Sequence, residues 1–173
     1  RLRFIVSALK VAVPQLKELD LWKDDRGVTH LKGLYEHWRP KAGWQTEEQF
    51  SDGTLRLMGL LWSILDGHGP LLLEEPELSL HPEVVKFIPQ ILAKAQRKRM
   101  RQIFVSTHSR DILEDEDIRP EEVLMLIPSS EGTKVMPGKN DQTLKAILEG
   151  GGTVADVVIP KTRPKDVEQL SLW

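Results

Sequence analysis

The sequence predicts an α/β fold, a mostly parallel sheet with flanking helices, and three observations carry that prediction. Residues 71–74, Leu-Leu-Leu-Glu, form a short apolar run opened by Gly69-Pro70 and closed by Pro76. Such a run is too short for a helix, and its continuous rather than alternating apolarity is that of a buried parallel strand. Residues 102–106, Gln-Ile-Phe-Val-Ser, repeat the pattern. Between the two, Pro82 opens a stretch with Val84, Phe87, Ile88, Ile91 and Ala95 on one helical face, the crossover that a βαβ unit requires, with a kink expected at Pro89.

The other elements follow in chain order. From Arg3 to Leu21, Phe4, Ile5, Leu9, Val13, Leu16 and Leu19 are spaced mostly as one helical face interrupted at Pro14, which predicts a helical opening segment. Residues 28–38 mix aromatic and β-branched side chains between Gly27 and Pro40 and read as a strand, and residues 41–50 as a connector. Leu57, Leu60, Leu61, Ile64 and Leu65 form a helical stripe after Ser51-Asp52-Gly53. Beyond position 110 come an acidic helix or turn region (111–122), a strand (123–127), a hairpin turn at Gly132 that would extend the sheet, a capped helix (140–149) closed by Gly150-Gly151-Gly152, and a mixed tail. Three regions are expected: residues 1–49 as opening segment and connector, 50–127 as the core, and 128–173 as hairpin, helix and tail.

Composition narrows the functional classes. With 173 residues, 40% hydrophobic and 29% charged, the chain has enough apolar content for one soluble domain and is not a disordered tail. The absence of cysteine excludes a disulfide framework and cysteine-based zinc sites, and a cytoplasmic setting is expected. No apolar stretch approaches the roughly 20 residues of a membrane helix, so no membrane partner is expected. The missing initiator Met suggests a fragment. A net charge of -2 offers no global attraction to nucleic acid, and Arg97-Lys98-Arg99 with Arg101 reads as a dipole-matched helix end, so a DNA partner draws no support from it.

The candidate chemistry sits at element ends. In an open α/β sheet ligands bind at the carboxyl ends of the strands, which places Glu74 and Glu75 at a crevice, where one carboxylate can hold Mg²⁺ and the other can polarise a water. Ser51 or Asp52 is a good N-cap, and Gly53 leaves backbone N–H groups uncovered, so this helix start suits a phosphate, although the tripeptide also reads as a plain cap and turn. His108 follows the second strand, where a neighbouring parallel strand would bring it beside Glu75. Its imidazole could bond a phosphate oxygen or hold the attacking water, or be a structural residue. A different class of reading gathers Glu74, Glu75, Glu77, His81 and His108 into a metal-dependent nuclease cluster, but Pro76 and Pro82 oppose a common helical ligand face.

Taken in order, Phe50 to Leu113 resembles the second half of an ABC-type ATPase, specifically the bacterial predicted-ATPase group allied to RecF, SMC and OLD-family head domains. The resemblance implies a partial P-loop NTPase fold with a signature motif at Ser51-Asp52-Gly53-Thr54, a Walker B strand from Leu71 to Glu74, a D-loop from Leu78 to His81 and a switch histidine at His108. It implies Glu74 as the Mg²⁺-associated acid, where Asp is commoner, Glu75 as catalytic base, and His81 where many transporters carry the D-loop Asp. ATP and Mg²⁺ are the expected substrate and cofactor, and hydrolysis at a head-to-head dimer interface as a nucleotide-gated switch is the expected activity. No Gly-x-x-x-x-Gly-Lys-[Ser/Thr] occurs in the sequence. The resemblance places that Walker A loop upstream of Arg1, which implies a carboxyl-terminal portion that needs its amino-terminal half and a second ATPase head as partners, and that is inactive alone. An inactive regulatory partner subunit is the other alternative.

Overall fold

A computed structural model describes residues 2–36 and 43–170, which divide into two compact units, residues 1–107 and 108–173. In the first unit, helix α1 (Leu2–Ala12) buries Ile5 and Leu9. It closes with Val13 N donating to Leu9 O at 2.7 Å, just before Pro14. The chain then forms strand β1 (Leu16–Lys23), which corrects the helical expectation for Arg3–Leu21. The reason is pairing. β1 lies antiparallel to β2 (Thr29–Tyr35), with Leu21 opposite Leu31 and Lys23 opposite Thr29. Their connection is held by Asp24 Oδ1, which accepts from Arg26 N at 2.9 Å and Val28 N at 2.7 Å.

The strand expected over 28–38 is thus β2, with residues 37 and 38 outside the described residues. Of the connector expected over 41–50, residues 41 and 42 also lie outside them. The rest is not simply a loop: Trp44–Thr46 is strand β3, antiparallel to β2, and Glu47–Gln49 is a 3₁₀ turn. Helix α2 (Asp52–Leu65) then follows. Its Leu57, Met58 and Leu61 share one core with Ile5, Leu9, Leu16 and Phe50, so residues on both sides of position 50 fold as one packing unit. Each such fully buried aliphatic side chain contributes about 1.5–3 kcal/mol.

Strand β4 (Leu71–Glu74) and strand β5 (Ile103–Ser106) pair in parallel, Leu71 opposite Ile103 through Glu74 opposite Ser106. The crossover between them is helical, but it is broken rather than kinked, into α3 (Pro82–Val85) and α4 (Ile88–Arg99). Both prolines stand in the first turn of a helix, where a missing N–H is tolerated. Phe87, expected on the buried face, is exposed because it forms the N-cap at that break. Arg101 anchors the return. Its guanidinium donates to Ser63 O at 2.9 Å, to Asp66 O at 2.5 Å and to Gly69 O, covering carbonyls at and beyond the end of α2.

The second unit holds a short helix α5 (Arg110–Leu113), the hairpin β6 (Leu124–Ser129) and β7 (Gly132–Pro137), helix α6 (Gln142–Glu149) and helix α7 (Ala155–Thr162). The hairpin forms where expected, with Gly132 at φ 115°, but as a two-stranded sheet of its own. Helix α6 is capped by Asp141, whose Oδ1 accepts from Leu144 N at 3.0 Å. Part of the expected tail is helical, because Val154, Ala155 and Val157 join Leu113, Val123, Met125 and Leu144 in a core and Lys161 pairs with Asp141. The expectation of a mostly parallel sheet is corrected as well. Among the described strands only β4 and β5 run parallel; the β1–β2, β2–β3 and β6–β7 pairs are antiparallel, and β1–β2 and β6–β7 are joined by turns too short for a parallel crossover. No described helix is long and apolar enough to cross a membrane.

Candidate functional site

Glu74 and Glu75 stand where β4 leaves its ladder. Glu74 faces Ser106 across the parallel pair, and Glu75 N donates to Ser106 O at 2.9 Å, which extends the pairing one residue past the strand. At that residue the backbone turns over, with Glu75 at φ 41°. Leu78 N donates to Glu75 O at 3.2 Å, Leu80 N donates to Glu77 O at 3.0 Å, and Ser79 sits at φ 63°. Two left-handed non-glycine residues in one short turn cost about 1–3 kcal/mol each, a strain that persists where the surroundings determine the conformation. The outcome is two adjacent carboxylates in unlike settings: Glu74 is exposed, whereas Glu75 is half-buried.

The start of α2 meets the same turn. A Cβ placed on Gly53 would lie 2.5 Å from Ser79 O, so only glycine lets the helix start approach that backbone so closely. Ser51 is the N-cap and Asp52 the first helical residue, which resolves the choice between them. Ser51 Oγ accepts from Thr54 N at 3.2 Å and lies 2.9 Å from Thr54 Oγ1. Thr54 is only 5% exposed, so it supports the cap from beneath rather than presenting itself to a ligand. The first-turn amides of such a helix have no intrahelical partner, and Ser51, Asp52 and Gly53 carry them at the surface of the turn.

His81 is exposed and caps α3, its Nδ1 accepting from Glu83 N at 3.2 Å. His108 is exposed and opens the second unit, directly after Thr107. The five-residue metal cluster of the nuclease reading is not assembled: among the described residues no group of three or more His, Asp or Glu side chains could hold a metal ion. Glu77 is instead engaged with the Thr107 hydroxyl, and His81 with a helix start. A lone exposed carboxylate at Glu74 suits Mg²⁺, which is usually bound through one or two carboxylates together with substrate phosphates. Sequence reasoning missed Thr107. The only signal available was its place beside His108 at the end of an apolar strand.

It also missed a polar cluster just ahead of α2. His30 Nδ1 lies 2.5 Å from Glu47 Oε1 and Nε2 lies 3.5 Å from Asp24 Oδ2, while the Trp22 ring stacks on the imidazole at 5.3 Å. The Glu47 hydrogen bond raises His30 above its usual 6.5, and the same bond lowers Glu47 below 4.5. Asp24 is lowered too, chiefly by the Val28 amide. His30 therefore stabilises the fold fully below pH 6.5 and stops doing so as pH rises through its folded value, above 6.5. Glu47 contributes above pH 4.5 and is lost as pH falls through its folded value, below 4.5. The tie between the β1–β2 hairpin and the 3₁₀ turn is expected to be strongest from about pH 4.5 to 6.5. Thermal unfolding should show the melting temperature falling as pH rises above 6.5, and His30→Gln should flatten that slope.

One face of the parallel pair is uncovered. Leu72 and Phe104 are direct neighbours in register and are 76% and 46% exposed. Parallel sheets are ordinarily covered on both faces.

Residues 3–114, more than half of the chain, match the family model described as "AAA domain, putative AbiEii toxin, Type IV TA system". No curated protein matches the chain. Among solved structures, a chain from a study of ATP-driven dimerization and DNA-stimulated activation of SMC ATPases is similar, with a TM-score of 0.57 and 13% sequence identity over 86% of this chain and 89% of that one. At that identity the likeness shows the fold alone.

Proposed function

We propose, from the premise that this chain belongs to that family of AAA domains, that it supplies the Walker B and signature elements of an ATPase that works as a nucleotide-gated switch between two heads. The observation that carries the reading is the close seat of Gly53 against Ser79, which joins the helix start resembling a signature motif to the turn that follows Glu75. The exposed Leu72–Phe104 face is compatible with the reading, since the faces of a parallel sheet are ordinarily covered and a P-loop-bearing segment could cover this one.

Glu74, at the exposed end of β4, would hold Mg²⁺ through its carboxylate. When bound, the metal neutralises charge on the transferring phosphoryl group and fixes the phosphates. Glu75 orients the attacking water and accepts its proton. The Ser51 hydroxyl, with the Asp52 and Gly53 amides at a helix N-terminus, donates to the γ-phosphate held by the opposite head, with Thr54 beneath them and His81 on the adjoining D-loop. His108 hydrogen-bonds the γ-phosphate held in its own head, the one capped by the opposite head's signature motif, and reports its presence. A second reading is an inactive partner module that completes another ATPase's site.

The test uses the intact protein that contains this chain, measuring Mg²⁺-dependent ATP hydrolysis and ATP-dependent self-association by light scattering. Turnover together with association supports the switch. Association with a complete ATPase, without turnover of its own, supports the second reading. DNA cleavage with Mg²⁺ or Mn²⁺ and no ATP would replace both with the nuclease.

A further inference from the structure

The turn after Glu75 and the end of β5 are cross-tied twice at neighbouring positions. One tie is backbone, from Glu75 N to Ser106 O at 2.9 Å. The other is a side-chain bond in which the Thr107 hydroxyl donates to Glu77 Oε1. Glu77 Oε2 is buried and has no hydrogen-bond partner among the described residues. Burying a carboxylate oxygen without a partner is costly, so a surface-accessible turn does not ordinarily hold one. The low local dielectric around that carboxylate strengthens and orients the bond it does make.

We propose that Glu77 is a positioning residue: by gripping the Thr107 hydroxyl, its carboxylate sets the backbone from which His108 departs and, through the same turn, the left-handed conformation that aims Glu75. The inference rests on the ATPase reading for its functional meaning. The proposed base and the end of β5 are thereby linked through one turn. Displacement at Thr107 passes to the Glu77 carboxylate, along the turn closed by Leu78 N to Glu75 O, and so to the proposed base. A misplacement of about 1 Å in a reacting group can reduce turnover by about 100-fold, so a loosened tie need not touch the nucleotide to matter.

The test compares Glu77→Ala, Thr107→Val and Thr107→Ser in the intact protein. Thr107→Val removes the donor at nearly constant volume and guards against a folding defect in Glu77→Ala. Both are expected to lower kcat by about tenfold with ATP affinity unchanged, and the double variant to be no worse than the worse single one. Thr107→Ser, which keeps the hydroxyl, should restore turnover. Independently of activity, amide hydrogen exchange at residues 106–108 should quicken by about tenfold in Glu77→Ala and Thr107→Val, while the exchange of β4 stays as it was. Additive losses, unchanged kcat beside an active wild type, or unchanged exchange would each overturn the proposal. If the wild type does not hydrolyse ATP, the ATPase reading falls by itself, and the exchange measurement still decides whether Glu77 holds Thr107.

Discussion

Glu75→Gln in the intact protein is expected to lower ATP turnover by about 10²–10⁴-fold, the range that a positioned general base contributes. The substitution keeps the length of the side chain and its ability to hydrogen-bond, and removes only the capacity to take a proton. It leaves the backbone demands of the position as they are, because glutamine bears the left-handed φ of 41° at the same cost as glutamate. The bond from residue 75 N to Ser106 O is likewise indifferent to the exchange. Binding contacts therefore survive while the chemical step fails. ATP-bound closed dimers should accumulate, visible as a stable higher-mass species in light scattering. Turnover equal to that of the wild type would remove Glu75 from the mechanism and leave its strained backbone without a catalytic explanation.

The second large effect concerns assembly of the site. Gly53→Ala adds a single methyl group to a helix, a change that in an open helix interior gains about 1 kcal/mol of propensity. Here the added carbon would lie 2.5 Å from Ser79 O, a backbone atom in a turn held by Leu80 N to Glu77 O and by Leu78 N to Glu75 O. α2 is held by its packed core residues and the turn by those bonds, so neither can retreat without loss. Overpacking of this kind costs about 1–3 kcal/mol, which outweighs the propensity gain. Thermal unfolding of the intact protein should show the loss, and turnover should fall with it because the acid-bearing turn is displaced. A variant as stable as the wild type would show that the start of α2 does not press on this turn.

The parts of the fold that were legible in the sequence were those specified locally. β4 is a short apolar run bounded by breakers and β5 one bounded by polar residues, and the hairpin turn at Gly132 and the capped helix expected over 140–149 are written in a few adjacent residues, although the cap itself is Asp141. β1 was not legible. Leu16 and Leu19 continue a helical spacing, and only pairing with β2 across the Asp24–Gly27 turn makes that segment a strand. The same holds for α7, which carries Pro160 inside it and is stabilised by burial of Val154, Ala155 and Val157 rather than by propensity. At the site, Ser51 could be proposed as a cap from its neighbours. The burial of Thr54, by contrast, depends on what packs over it.

By itself the sequence determined which residues are candidates for chemistry and their order along the chain, because carboxylates, caps and breakers act over a few bonds. Only the tertiary structure decided which of them meet: that Gly53 abuts Ser79, that Glu77 takes the Thr107 hydroxyl, and that Glu75 departs from β4 in a left-handed conformation. Those contacts join residues some 26 to 30 positions apart. They are set by strand register and core packing, which sum over the whole unit and leave no mark on any short stretch of sequence.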